Sequence, residues 1–154
     1  MAEKFRAPGN PLDTAGSKVG INFNKSRRFI NTVSAHRLME HANTTAPEKA
    51  DALMEAMFHA YFEQAKDLST SEELMAVARS VGLEQAGVEQ VLAAGSTELK
   101  DKVMASVRDS QSRLRVSGVP FFIIEPVDGS RPTGFSGAQP ADIIAEQLLE
   151  ASGD

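Results

Sequence analysis

The stretch V-S-G-V-P-F-F-I-I at Val116–Ile124 constrains the fold more than any other part of the sequence. Four apolar residues follow Pro120 directly, and so short an apolar run predicts a strand that is buried on both faces. Because Pro120 has no backbone N–H, it belongs at the first position of that strand. Gly118 allows a sharp entry, and a cis peptide bond before Pro120 is compatible with this position. The residues alone leave two interpretations open: a strand that happens to start with a proline, and a functional cis-proline loop.

Helical patterns fill the chain before this strand. Within Asn31–Asn43, apolar residues recur at positions i, i+3, i+4 and i+7, and the same stripe continues after Pro47 through Leu53–Phe62. We interpret the methionines and phenylalanines of Leu53–Phe62 as core rather than as a cofactor pocket. A further helix is predicted after a capping box, which is either Ser69–Glu72 or Thr70–Glu73.

The two ends of the chain are predicted from their turn residues and apolar patterns. Prolines and glycines punctuate residues 1–18, which predicts a loose tail or a short helix remnant. Val19–Phe23 is compatible with a brief strand or a buried extended segment. After the Pro120 strand, a turn-rich loop leads to Thr133–Ser136, which we expect to return as an antiparallel strand, and Pro140 begins the last helix. The prediction is therefore a mainly helical α/β chain that ends in a β-hairpin and a helix.

Composition limits the classes of partner. Of the 154 residues, 42% are hydrophobic and 24% are charged, which is ordinary for one globular domain. The net charge of -5 argues against a nucleic-acid partner. No apolar run is long enough for a transmembrane helix, so no membrane partner is expected. The first residues lack the apolar segment of a secretory signal, which favours a cytoplasmic location.

The reactive side chains exclude several kinds of site. The sequence contains no cysteine, which excludes disulfides, thiol nucleophiles and cysteine metal sites within this chain. His36 and His41 are five residues apart, a spacing that does not put two ligands on one helix face, so no metal site is predicted. Neither a phosphate-binding nor a dinucleotide-binding glycine motif occurs, and no cofactor is expected.

Four sequence blocks occur in a fixed order along the chain. They are G-I-N-F-N at Gly20–Asn24, N-T-V-S-A-H-R-L at Asn31–Leu38, S-G-V-P-F-F-I-I at Ser117–Ile124 and S-G-A-Q-P at Ser136–Pro140. Together they resemble the DsbA-like thioredoxin superfamily, and most closely its FrnE branch. The resemblance covers about residues 20–149.

The resemblance implies a partial thioredoxin-like fold. A domain over residues 19–154 would consist of a helical insertion at about residues 24–115 and a C-terminal thioredoxin half at about residues 116–151. In this family a C-x-x-C motif lies at a helix N-terminus, where the thiolate is stabilised and attacks substrate disulfides. The activity that the resemblance implies is thiol–disulfide exchange, with protein or thiol substrates.

The resemblance also implies the residues of a site. Gly118, Val119 and Pro120 would form the cis-proline loop, which binds substrate. The backbone groups of Val119 would pair with an extended substrate segment, as in strand addition. His36 and Arg37, in the N-T-x-x-A-H-R-L block, are expected to support the site by packing or hydrogen bonding rather than to catalyse.

The chain departs from the family pattern in its missing C-x-x-C half. The first strand, the C-x-x-C helix and the second strand have no counterpart, so no catalytic residue is predicted and the chain is expected to be inactive in dithiol exchange. An incomplete gene prediction, a fragment and a truncated paralogue all remain open. Without parallel partners the Pro120 strand would keep an apolar edge, and we expect self-association through Val119–Ile124.

Two other functions stay open beside disulfide exchange. Glutathione-dependent isomerases of the hydroxychromene-carboxylate and kappa-transferase type share the helical insertion and a Val-Pro loop, and they use a serine in place of the catalytic cysteine. That serine would also lie in the missing half. The other alternative is a non-enzymatic module whose exposed strand or helical face binds a protein partner.

Overall fold

The computed structural model describes residues 10–93 and 95–152. This described part contains seven α-helices and one two-stranded sheet. In chain order the elements are α1 (Pro11–Lys18), α2 (Val33–Thr45), α3 (Ala50–Phe58), α4 (Ser71–Ser80), α5 (Gln85–Leu92), α6 (Glu98–Ser112), β1 (Phe121–Ile124), β2 (Thr133–Ser136) and α7 (Ala141–Ser152). The prediction of a mainly helical chain with a hairpin and a final helix is confirmed.

The chain divides into two compact units, residues 1–104 and residues 105–154, and the boundary between them falls within α6. The predicted division into a helical insertion and a C-terminal thioredoxin half, at about residue 116, stays a prediction. No helix in the described ranges combines the length and the apolar character that crossing a membrane requires.

The core of the first unit lies where α2, α3, α4 and α5 meet. Leu38, Leu53, Leu74 and Val88 contribute one fully buried side chain from each of these helices. The apolar stripe of Asn31–Asn43 predicted the inward face of α2, because residues three and four apart share one face of a helix.

Side chains and a glycine fix the ends of α4 and the start of α5. The Thr70 hydroxyl accepts the Glu73 N–H at 3.4 Å, so the N-cap is Thr70 and not Ser69. The reciprocal bond of a capping box is not made, because the Thr70 N–H donates to the Asp67 carbonyl oxygen. Gly82, at φ +73°, follows α4 in the left-handed conformation that commonly ends a helix. The Glu84 carboxylate caps α5 by accepting the N–H groups of Ala86 and Gly87 at 2.9 and 2.7 Å.

In the second unit, β1 and β2 form an antiparallel hairpin in which Phe121 lies opposite Ser136 and Ile124 lies opposite Thr133. The predicted return strand at Thr133–Ser136 has the predicted bounds. In this sheet β1 pairs with β2 alone. Helix α7 packs against β1.

Of the two alternatives for residues 1–18, the short helix and not the loose tail is found at residues 11–18, which form α1, because the Asn10 carboxamide accepts the Leu12 N–H and Pro11 suits a first helical turn. Residues 1–9 lie outside the described ranges. Two other sequence expectations are corrected. Val19–Phe23 contains no strand, and Ile21 is exposed. The strand β1 is not buried on both faces, since Phe122 and Ile123 are 39% and 45% exposed.

Replacing a core leucine tests the first unit. We expect Leu53→Ala to lower the free energy of unfolding by about 2–5 kcal/mol, because Leu53 is fully buried and its truncation leaves a cavity. Urea denaturation followed by circular dichroism measures this change. Phe29→Ala is the control, since its side chain is 77% exposed and its loss should change stability by less than about 0.5 kcal/mol. Equal effects of the two substitutions would contradict the assigned core.

The Glu84 cap predicts a dependence of stability on pH. The Gly87 N–H, and next the Ala86 N–H, hold the pKa of Glu84 below its ordinary value of 4.5. A carboxyl whose pKa is lowered by folding stabilises the protein above its unfolded pKa and loses that contribution as the pH falls through its folded pKa. Glu84→Gln should therefore lower the midpoint of thermal unfolding at neutral pH and flatten its fall in acid.

Glu89→Gln is the matched control for this titration, because it removes the same charge from the same helix without removing a cap. Thermal unfolding of both variants, measured between about pH 3 and pH 7, would separate them. Indistinguishable profiles for Glu84→Gln and Glu89→Gln would contradict the role given to the cap.

Candidate functional site

The loop before β1 presents Val119 to solvent. Gly118, Val119 and Pro120 are all exposed, and Val119 is 89% exposed. The Val119–Pro120 peptide bond is cis. The carbonyl oxygen of Pro120 accepts the Gly137 N–H at 2.8 Å, which ties the loop to the turn after β2.

The pairing of β1 leaves one edge of backbone groups open. Pro120 and Gly137 form a hydrogen-bonded position, so in an antiparallel ladder Phe122 and Ile124 bond to β2 as well. The alternate residues must point their N–H and C=O groups away from β2. We call the outward backbone groups of Phe121 and Ile123, which follow the exposed Val119, the open edge.

Contacts on the hairpin keep this edge in place. Phe122 and Phe135 lie opposite one another, and their rings stack with centroids 5.2 Å apart. The Phe121 ring lies against Gly134, where an added Cβ would come within 3.3 Å of the ring. Glycine at this position therefore lets an aromatic ring cross from β1 to β2.

None of the described residues from 105 to 152 is buried. The large apolar side chains that remain exposed in this unit include Val119, Ile123, Val127, Leu148 and Leu149. A two-stranded hairpin is marginally stable by itself in water, and an apolar strand with an unpaired edge readily pairs with another chain. The second unit therefore offers both backbone groups and apolar surface for an added polypeptide.

His36 and Arg37 belong to the first unit, whereas Gly118, Val119 and Pro120 belong to the second. The two neighbours on α2 line different cavities. His36 is exposed and lies at an apolar groove, and Arg37 is buried and lies at a polar cavity. The structure therefore does not bring His36 and Arg37 into one site.

The apolar groove has a volume of about 170 Å³. Its walls come from α2, from α3 and from the π-helical turn His59–Glu63 that continues α3. The residues that line it are Ile30, Thr32, Ala35, His36, Met39, Met54, Met57, Phe58, Tyr61, Phe62 and Leu68. The interpretation of Leu53–Phe62 as core therefore holds for Leu53 and Met57, which are buried, but Phe58 is 55% exposed at the groove.

The polar cavity has a volume of about 330 Å³ and lies where α2 and α6 begin. Arg37 lines it, together with Asn31, Val33, Ser34, Ser69, Ser96, Thr97 and Lys100. We call it the Arg37 cavity. The sequence did not predict this cavity, because its residues come from three separated stretches of the chain. The only sequence signal for it was the presence of serine or threonine at each of the helix starts that line it.

A carboxylate lies behind one wall of the Arg37 cavity. Asp67 accepts hydrogen bonds from the side chain and the backbone N–H of Ser69, and these hold the pKa of Asp67 below its ordinary value of 3.8. The hydroxyl proton of Ser69 is therefore directed to Asp67. Within the described ranges, no cluster of three or more histidine, aspartate or glutamate side chains could hold a metal ion.

The model of a family described as "DSBA-like thioredoxin domain" matches residues 3–149. A crystal structure of a "probable DsbA oxidoreductase" from Streptomyces coelicolor is similar, with 27% sequence identity and a TM-score of 0.80. The match covers 99% of this chain, and the chain spans 62% of that protein.

A second solved structure is that of a "putative protein disulfide isomerase" from Nitrosomonas europaea. It has 20% sequence identity and a TM-score of 0.73, and the match covers 89% of this chain and 67% of that one. At this identity the likeness shows the fold alone. No protein of curated function matches the chain.

Proposed function

We infer, because this chain belongs to the family of DSBA-like thioredoxin domains, that it binds extended polypeptide substrates of thiol–disulfide exchange. The observation that supports this proposal is the open edge beside Val119. Its unpaired backbone groups are the kind that an extended peptide recognises when it adds as a strand. Val119 and Pro120, with Gly118 before them, are the proposed substrate-binding residues.

The proposal assigns binding and not redox chemistry to this chain. Disulfide exchange requires a thiolate that attacks a disulfide sulfur and forms a mixed disulfide. The sequence has no cysteine, so none of its residues can play that part. In a protein that supplies a C-x-x-C pair, the cis-proline loop would hold the substrate segment while the thiolate attacks. The chain spans 62% of the Streptomyces protein. We therefore propose peptide binding for this chain, and disulfide exchange only for a whole protein that also contains a C-x-x-C pair.

The exposed apolar residues of the second unit support the same conclusion. A peptide that pairs with the open edge would place alternate side chains over Val119 and Ile123, both of which are exposed. Main-chain hydrogen bonds would give affinity with little dependence on the peptide sequence. Binding of this kind suits unfolded or extended polypeptide segments as partners. The resemblance of the sequence blocks to the FrnE branch likewise implies protein substrates.

A backbone substitution at the open edge tests the proposal. Ile123→Pro removes an outward N–H but no hydrogen bond to β2, so the hairpin should persist while strand addition is blocked. We expect it to weaken binding of a fluorescein-labelled, extended ten-residue peptide with a central S-methylated cysteine by about tenfold or more. Fluorescence anisotropy with the full chain measures this affinity.

Ile123→Thr is the control for this experiment, since it shortens the side chain but keeps the N–H. Circular dichroism of both variants verifies that they fold. If the peptide binds Ile123→Pro as tightly as it binds Ile123→Thr, the open edge is not its binding site. If glutathione binds to the chain and the peptide does not, the function lies with the glutathione-dependent relatives instead.

The same edge predicts self-association of the chain through Val119–Ile124. Two copies could pair their β1 strands across the open edges, which would satisfy the outward backbone groups of both. We expect sedimentation equilibrium to show a reversible dimer whose fraction rises with concentration, and Ile123→Pro to reduce that fraction. A wild-type chain that stays monomeric at all concentrations would contradict this prediction.

A further inference from the structure

We propose that the Arg37 cavity is a binding site for the phosphate group of a small phosphate monoester. The cavity lies in the first unit and shares no residue with the open edge, so this inference is independent of polypeptide binding. Four observations support it: a buried guanidinium, the remaining first-turn N–H groups of α2, hydroxyl and ammonium groups at a second helix start, and the absence of carboxylates among the described residues of the lining.

Arg37 is a buried cation that forms no ion pair with the residues that the structure describes. It is only 6% exposed, and its Nη2 atom donates to the carbonyl oxygens of Val91 and Ala93. Its Nε has no hydrogen-bond partner in the part of the chain that the structure describes and is itself sealed from solvent, so the guanidinium acts on the cavity through its unneutralised charge. None of the ion pairs found among these residues involves Arg37. A buried charge that lacks a counter-charge is costly, and a guanidinium is well suited to bind an oxyanion.

The N-terminus of α2 adds unpaired donors to the same cavity. The Val33 N–H is taken by the Asn31 carboxamide oxygen at 2.9 Å, but Thr32 at the cap position makes no side-chain cap bond. Ser34, in the first turn, lines the cavity. The first N–H groups of a helix have no partners within it and lie at the positive end of its dipole, so they favour an anion.

The start of α6 supplies the remaining polar groups. Ser96 and Thr97 bring hydroxyls, and Lys100, in the first turn, brings an ammonium group. No aspartate or glutamate is among the residues found to line the cavity. Ser69 adds no donor, because its hydroxyl proton is directed to Asp67. The cavity is therefore cationic in a chain whose net charge is -5.

The size of the cavity indicates the class of ligand. At about 330 Å³ it lies at the lower end of the range for small-molecule sites and exceeds what one tetrahedral oxyanion fills. The first N–H groups of α2 and the Lys100 ammonium group would bind the phosphate oxygens beside the buried charge of Arg37, and the hydroxyls of Ser96 and Thr97 would contact a small polar remainder. A carboxylate shares part of this chemistry, and the experiment separates the two anions.

Titration of the full chain with inorganic phosphate, glycerol 3-phosphate and acetate, followed by calorimetry, tests the proposal. We expect both phosphates to bind, with glycerol 3-phosphate tighter, and acetate to bind at least tenfold more weakly, since it carries one charge and two oxygens. Lys100→Ala should weaken phosphate binding about tenfold through the loss of one charge-assisted contact. Lys100 is exposed, so this variant should fold.

Lys18→Ala is the control, because it removes the same charge from the same unit at a residue that does not line the cavity. Amide chemical shifts provide a second readout that needs no variant: phosphate should shift the Ser34 and Lys100 resonances first. Equal losses of affinity in Lys100→Ala and Lys18→Ala would overturn the proposal. So would acetate binding as tight as phosphate binding, or the absence of shifts at Ser34 and Lys100.

Discussion

The function proposed here depends on the one-sided pairing of β1. An interior strand has a partner on each side, but β1 pairs with β2 alone in the described sheet. Because Pro120 and Gly137 fix which residues bond to β2, they also fix which residues point outward. The backbone groups of Phe121 and Ile123 are thereby held in register to receive an extended segment. Their geometry follows from one hydrogen bond and the two-residue repeat of a strand.

The two units bury their apolar side chains to different extents. The first unit buries one large side chain from each of four helices and so has a core of its own. The second has no buried residue among those described, and its apolar side chains stay partly exposed on the hairpin and α7. A unit of this kind gains stability from any polypeptide that covers it, because binding to the folded state alone shifts the folding equilibrium.

The sequence predicted those parts of the structure that depend on local pattern. The stripe with Leu38 and Leu53 predicted the buried faces of α2 and α3, and the turn residues after Pro120 predicted the hairpin. The burial of β1 was predicted wrongly, because an apolar run reports only that a strand could be covered and not that a partner covers it. The Arg37 cavity was missed since it depends on which helix starts meet in space, and one sequence does not show this.

The measurement that tests the account most directly is amide hydrogen exchange of the full chain with and without an extended peptide. The outward N–H groups of Phe121 and Ile123 should exchange fast in the free chain and become protected when the peptide binds. The N–H groups of Phe122 and Ile124, which bond to β2, should change little. Peptide binding that leaves Phe121 and Ile123 exchanging as before would contradict strand addition at this edge.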